Sequence, residues 1–273
     1  MVLVSLEGCQ GCHRGAVSPS PDKENPDSGG IPNLGNTCYM NAVLQIIAKL
    51  YPNIFAGKAN SLAETGQVIV NKINDDNDYV TSNEAEAFYT ELLKAAAPDG
   101  WIRGAQESAD ECMDIIWKQL GLPTIDAALG TPYISLALQS SRDVGEKTML
   151  ELLDDYATAR PIEPNFRNDI VPIQLVRTEN GKTKINTVAK EVLQLAITKA
   201  HIPTLSQDIH CQLAGLIVHS GKAATKGHYF TYICQDGQWR LYDDASVKQV
   251  TKAQAEQAAE RAYLYFYSYK HTP

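Results

Sequence analysis

Hydrophobic positions along the chain keep two different rhythms, with the change just past the middle. From Thr37 onward, apolar residues recur at Met40, Val43, Leu44, Ile47 and Leu50, the spacing of one helical face. Asn83 or Ser82 caps a second predicted helix over about 84–97, and Ala109, Cys112, Ile115, Ile116 and Leu120 line an apolar face over 105–120. After Ile170 the pattern turns to strands, at 170–176, 210–219, 228–234, 238–243 and 262–269, with turn signals at Asn180-Gly181 and Asp236-Gly237. One helix is expected to interrupt them near 188–200, and another follows Thr251 through Gln254 to Ala258. Helices first and sheet second predict an α+β fold with a cleft between the halves.

Residues 1–30, with Ser18-Pro19-Ser20-Pro21 and Asp27-Ser28-Gly29-Gly30, have the composition of a disordered leader. The expected globular unit is 31–270, divided into a helical half (31–120), a variable insert (121–168) and a mainly β half (169–270). No internal repeat is visible. One unit suits a chain of 273 residues.

Candidate chemistry begins at Cys38. Asn36 or Thr37 can serve as an N-cap, which puts Cys38 in the first helical turn. There the positive end of a helix dipole favours thiolate over thiol. A lone cysteine on an apolar helix is more often a packed small hydrophobe. A base and a group to orient it change that reading, and both lie far along the chain. His228 opens one strand and Asp243 closes the next, so an antiparallel hairpin turning at Asp236-Gly237 brings them together. A histidine held by a carboxylate keeps one tautomer and can take a proton from a thiol. His219 competes as a base, but it follows a continuous apolar run and fits a structural, half-buried role. His13, His201, His210 and His271 have no such context.

Composition narrows the class. A formal charge of −8 argues against nucleic-acid binding. Six cysteines without regular spacing, one of them needed as a thiolate, point to a reducing compartment, the cytoplasm or nucleus. Cys9-Gln10-Gly11-Cys12-His13 lacks the further ligands of a metal site and the context of a redox pair. No apolar run reaches membrane-spanning length, and Met1 to Leu6 is too short and uncharged to act as a signal peptide.

Asn33-Leu34-Gly35-Asn36-Thr37-Cys38-Tyr39-Met40-Asn41 resembles the Cys box of the ubiquitin-specific proteases, papain-like cysteine peptidases that release ubiquitin from proteins. Gly227-His228-Tyr229 and Leu241-Tyr242-Asp243-Asp244-Ala245-Ser246 resemble the two parts of their His box. Gln106-Glu107-Ser108-Ala109-Asp110-Glu111, Val171 to Leu175 and Tyr263 to Tyr267 are weaker matches. The resemblance implies a papain-like fold with a helical thumb-like half packed on an antiparallel β-sheet palm. It also implies that Cys38 is the nucleophile, His228 the general base and acid, and Asp243 the orienting carboxylate.

Asn33 would donate to the oxyanion, a contact worth about 3 kcal/mol in a dry site. Asp244 corresponds to a second family acid, against the alternative of an ordinary exposed turn residue. Tyr229 and Trp239 are candidate walls of a narrow channel for a Gly-Gly tail, although aromatic residues at strand positions are more often core. The implied partner is ubiquitin, with no cofactor and a monomeric chain. Ubiquitin's basic recognition face and tail suit an acidic protein. Glu151, Asp154 and Asp155 are candidates to meet the tail's arginines, against the simpler reading of a solvated helix face.

Two departures stand out. Ser108 replaces the family's usual Asp, which predicts a lost polar contact at that helix start. Between Leu120 and Leu216 the single cysteine is Cys211, so the four-ligand zinc site of the family's fingers cannot form and reduced fingers are expected. The alternatives are a protease for another modifier, SUMO- or NEDD8-like, and a non-catalytic ubiquitin-binding scaffold. The compact size would also suit a microbial or viral protein acting in a host cytosol.

Overall fold

The computed structural model describes residues 28–75, 78–138, 147–160, 162–179, 183–185, 189–223 and 226–269. The Cys-x-x-Cys segment and most of the proposed leader lie outside them. Gly29 and Gly30, placed in the leader by composition, are buried, and the Gly29 carbonyl accepts a bond from Gln45 Nε2 at 2.6 Å. The folded unit therefore already includes Gly29.

Four helices come first: α1 (Cys38–Leu50), α2 (Ser61–Asn74), α3 (Ser82–Ala96) and α4 (Ala109–Gln119). The expected single apolar face of α1 is too modest a description. Every residue from Cys38 to Ala48 is buried, because Ala42, Ile46 and Ala48 extend the apolar surface round the helix. Helix α3 starts two residues earlier than the pattern suggested. Thr81 is its cap, closing a reciprocal capping box with Glu84, whereas Ser82 and Asn83 fall inside the first turn.

Then come β1 (Ile134–Ala137), α5 (Met149–Ala159), β2 (Ile170–Val176), the short β3 (Thr178–Glu179) and β4 (Thr183–Lys184), β5 (Gln194–Ile197), β6 (Ile209–Ala223), β7 (Lys226–Gln235), β8 (Gln238–Asp243), β9 (Ser246–Val250), α6 (Lys252–Ala259) and β10 (Leu264–Tyr269). The main sheet runs β1-β2-β10-β6-β7-β8-β9, with β5 paired to β6. It is mixed, where an antiparallel sheet was expected. β1 lies parallel to β2 and is joined to it through α5. The insert 121–168 thus supplies an edge strand and a helix to the palm.

The helix expected near 188–200 does not form. Leu195 and Ile197 alternate into the core, and β5 pairs antiparallel with residues 209–212 of β6. Pairing with an open strand outweighs the weak helical preference of an Ala/Leu/Lys-rich segment. Between β2 and β5 the described residues form one small hairpin, β3 on β4.

The sheet has a core on each face. Leu264 and Phe266 of β10 join α1–α4, whereas Tyr265 and Tyr267 join α5 and α6. Helix α1 sits against β6 at Gly215, where a Cβ would lie 2.9 Å from Ile46 Cδ1 and 3.2 Å from Leu50 Cδ1. A hydroxyl also fixes the helix to the sheet: Thr231 Oγ1 of β7, fully buried, donates to the Ala42 carbonyl at 3.1 Å. These contacts hold the start of α1 beside the end of the β7–β8 hairpin.

Candidate active site

The loop before Cys38 is built by its own side chains. Gly35 and Asn36 both adopt positive φ, at 93° and 58°, so the chain turns sharply into the helix. Asn33 Oδ1 accepts from the backbone N–H of Gly35 (2.9 Å) and Thr37 (3.3 Å) and from the Thr37 hydroxyl (3.3 Å). Thr37 Oγ1 accepts from Leu34 N at 2.9 Å, and Asn36 Nδ2 donates to the Gly104 carbonyl at 2.9 Å. Thr37 is the N-cap by position but makes no side-chain cap bond, contrary to the capping expected of it or of Asn36. Both polar side chains are committed to the loop. No capping side chain therefore occupies the first-turn N–H groups beside Cys38, and that end of the helix keeps donors for a developing anion.

The hairpin delivers the base. β7 pairs with β8 from Thr231↔Tyr242 to Gln235↔Gln238, and His228 Nε2 lies 2.5 Å from Asp243 Oδ1. The Cys38 side chain lies near enough to the imidazole to act on its charge. With Nε2 engaged by Asp243, Nδ1 is the ring nitrogen left for the sulfur. The Asp243 carboxylate, then Cys38, raises the imidazole pKa to about 11; Asp244 adds to the rise and burial opposes it. The two nearby carboxylates therefore favour the charged form of the ring.

Asp244 is not the exposed turn residue of the simpler reading. At φ 50° it turns its side chain inward, leaving that side chain 15% exposed. Its Oδ2 accepts from Asn33 Nδ2 at 2.8 Å and its Oδ1 from Asn41 Nδ2 at 2.7 Å. Its backbone carbonyl accepts from Ile31 N at 2.9 Å. Burial pushes its carboxyl up, while the two amide bonds oppose that shift. Asn41 was not singled out from the sequence. The available signal was a carboxamide on an otherwise apolar helix, one turn after the cysteine.

The ligand atoms of His228, Asp243 and Asp244 lie within 4.8 Å of one another, the spacing of a metal site. The two carboxylates are already engaged by His228, Asn33 and Asn41, which suits a thiol–imidazole–carboxylate arrangement better.

Tyr229 and Trp239 are each 5% exposed. Tyr229 belongs to the helical-side core, its ring 4.5 Å from that of His219 and 5.8 Å from that of Tyr263. Trp239 belongs to the core on the opposite face and is not beside Cys38, because successive strand residues alternate between faces. Glu151, Asp154 and Asp155 are each engaged within the insert and its neighbours. Glu151 closes the capping box of α5, Asp154 meets His201 at 2.7 Å and Asp155 meets Lys147 at 2.6 Å. Ser108 keeps a polar contact at its helix start: it caps α4, its side chain accepting from Glu111 N at 3.3 Å.

Residues 169–267 match the family model described as ubiquitin carboxyl-terminal hydrolase, a segment that carries His228, Asp243 and Asp244. Ubiquitin carboxyl-terminal hydrolase 24 of Arabidopsis thaliana is 36% identical over 90 residues, which are 32% of this chain and 16% of that protein. The chain is thus similar to the ubiquitin carboxyl-terminal hydrolases, with the family match confined to residues 169–267. Human ubiquitin carboxyl-terminal hydrolase 17-like protein 13 is 24% identical, with 88% of this chain and 56% of that protein covered. The chain thus spans little more than half, or less, of the length of these relatives. Its fold is shared with the SAGA DUB module bound to monoubiquitin (TM-score 0.64, 19% identity, 90% of this chain and 70% of that chain covered). The same module bound to ubiquitin aldehyde gives a TM-score of 0.64 at 17% identity, with 92% and 72% covered. The family match covers His228, Asp243 and Asp244, and Cys38 comes from the helical half.

Proposed function

We propose that the chain is a cysteine-type deubiquitinase that hydrolyses peptide and isopeptide bonds at the C-terminal glycine of ubiquitin. The observation that carries this reading is His228 bonded to the Asp243 carboxylate at 2.5 Å with Cys38 near enough to act on its ring. In the proposed cycle the Cys38 sulfur attacks the carbonyl carbon of that glycine, and the carbonyl oxygen becomes the oxyanion. Asn33 and the Cys38 N–H donate to it. His228 gives its proton to the departing amine as the C–N bond breaks, leaving a thioester. His228 then takes a proton from water, the hydroxide adds to the thioester, and the Cys38 thiolate leaves. Ubiquitin is favoured over SUMO- or NEDD8-like modifiers because the structural neighbours include complexes with monoubiquitin and ubiquitin aldehyde. The retained thiol, base and carboxylate favour an enzyme over a binding scaffold.

A reducing compartment, the cytoplasm or nucleus, suits a thiol enzyme whose described cysteines, Cys38, Cys112, Cys211 and Cys234, are all free. We take the working unit to be a monomer without nucleic acid. Among the described residues no helix is long and apolar enough to cross a membrane. The deciding experiment is turnover of fluorogenic ubiquitin, SUMO and NEDD8 substrates, with labelling of Cys38 by the matching activity-based probes. Ubiquitin turnover with Cys38 labelling is expected. Turnover of another modifier alone rejects ubiquitin as the substrate, and no turnover with no labelling rejects an enzyme.

A further inference from the structure

Gly227, immediately before His228, is gripped from two sides. From the helical half, Gln106 Nε2 donates to the Gly227 carbonyl at 2.6 Å, and Gly227 N donates back to Gln106 Oε1 at 3.4 Å. One carboxamide thus meets both polar groups of one residue, as a neighbouring strand would. From the sheet, β6 presses so close that a Cβ at position 227 would lie 2.3 Å from His219 Nε2 and 2.4 Å from the Ser220 carbonyl. The His219 ring is also packed against Tyr229, one residue beyond the base.

This grip falls where the β6–β7 ladder needs it. Pairing runs regularly from Gly215↔Ile233 to Ser220↔His228, then shifts register before Ala223↔Lys226. A bulge disrupts the ladder and re-aims the side chains beside it. Gln106 is well anchored to resist such freedom. It lies two residues before the Ser108 cap of α4, and the face of that helix carrying Ala109, Cys112, Met113 and Ile116 is buried in the helical-side core.

We infer that Gln106 is a positioning residue for the proposed reaction: by clamping the Gly227 peptide across the cleft it sets the approach of His228 to Cys38. This rests on His228 acting as the partner of the Cys38 thiol, and it assigns a role to a residue in neither the Cys box nor the His box. The titratable groups facing the imidazole are Cys38 at the start of α1 and Asp243 and Asp244 at the end of β8. His219 lies beside the glycine rather than the base.

The test compares the full chain with Gln106→Ala and Gln106→Glu. The glutamate is of similar size but cannot donate to the carbonyl, so it keeps the variant pair decisive should alanine fail to fold. Two measurements are made. One is the pH dependence of Cys38 alkylation by iodoacetamide, followed by mass spectrometry of the Cys38 peptide. The other is kcat and KM on a fluorogenic ubiquitin substrate. Loss of alignment is expected to move the alkylation profile to higher pH and to lower kcat about 10- to 100-fold, with KM changed less than about 2-fold. An unchanged alkylation profile in folded variants overturns the proposal, whatever happens to turnover. A rise in KM alone also overturns it, because it would make Gln106 a substrate contact. Alkylation needs no ubiquitin, so a wrong substrate would leave this test intact.

Discussion

The carboxamide of Asn33 is bound to the carboxylate of Asp244, Nδ2 to Oδ2 at 2.8 Å, across 211 positions of sequence. A donor tethered by one of its two N–H bonds holds the other in a fixed direction, so Asp244 orients the group proposed to meet the oxyanion. Asp244→Ala removes the acceptor of two amides, Asn33 and the buried Asn41. The expected result is a loss of about 2 kcal/mol in stability, read from urea unfolding, together with a fall in kcat. Unchanged kcat in a destabilised protein would leave Asp244 a structural clasp only.

Asn33→Ala deletes the proposed oxyanion donor itself. Removing one such donor lowers kcat about 100- to 1,000-fold, with KM little affected. Cys38→Ala is expected to abolish cleavage while retaining ubiquitin binding, measured by calorimetry. Cleavage surviving in Cys38→Ala would reject the nucleophile.

His228 supplies a pH dependence with a definite sign. Its folded pKa, raised from 6.5 to about 11, lies above that of the unfolded chain. The stabilisation from its charged form is therefore complete below about pH 6.5 and is lost as pH rises toward 11. In Asp243→Asn the largest cause of the rise is gone. The alkaline limb of the kcat/KM profile is expected to move to lower pH, and the alkaline loss of stability to begin earlier. Coincident alkaline limbs in the two proteins would argue against Asp243 as the orienting carboxylate.

Gly215→Ala tests how tightly α1 rests on the sheet. The new methyl would meet Ile46 Cδ1 at 2.9 Å and Leu50 Cδ1 at 3.2 Å. Overpacking of this kind costs about 1–3 kcal/mol, measurable as a lowered Tm. Because α1 carries Cys38 at its first residue, some loss of kcat is expected alongside.

Local pattern made legible the elements that carry Cys38, His228 and Asp243 and left their surroundings hidden. The alternation through Tyr229, Thr231 and Ile233 and the Asp236-Gly237 turn fixed the hairpin, and with it the His228–Asp243 pair. The spacing of Met40, Val43, Leu44 and Ile47 fixed the helix that presents Cys38. Residues 194–197 were misread because Leu195 and Ile197 suit either period, and only the open side of β6 decides between them. The β1–β2 parallel pair depends on a partner nearly 40 positions away, beyond the reach of any window. Asp244 looked like a turn residue because its partners, Ile31, Asn33 and Asn41, lie at the far end of the chain.

That separation has a consequence for when the thiol becomes reactive. Cys38 is near the start of the folded unit, whereas His228, Asp243 and Asp244 come close to its end, and Asn41 meets Asp244 across 203 positions. Contacts of such long range are costly to close and form late in folding. A nascent, truncated or partly unfolded chain carries a cysteine without its base. The proposed hydrolytic power would in this sense certify completed folding, and an unfinished molecule would have none to misdirect.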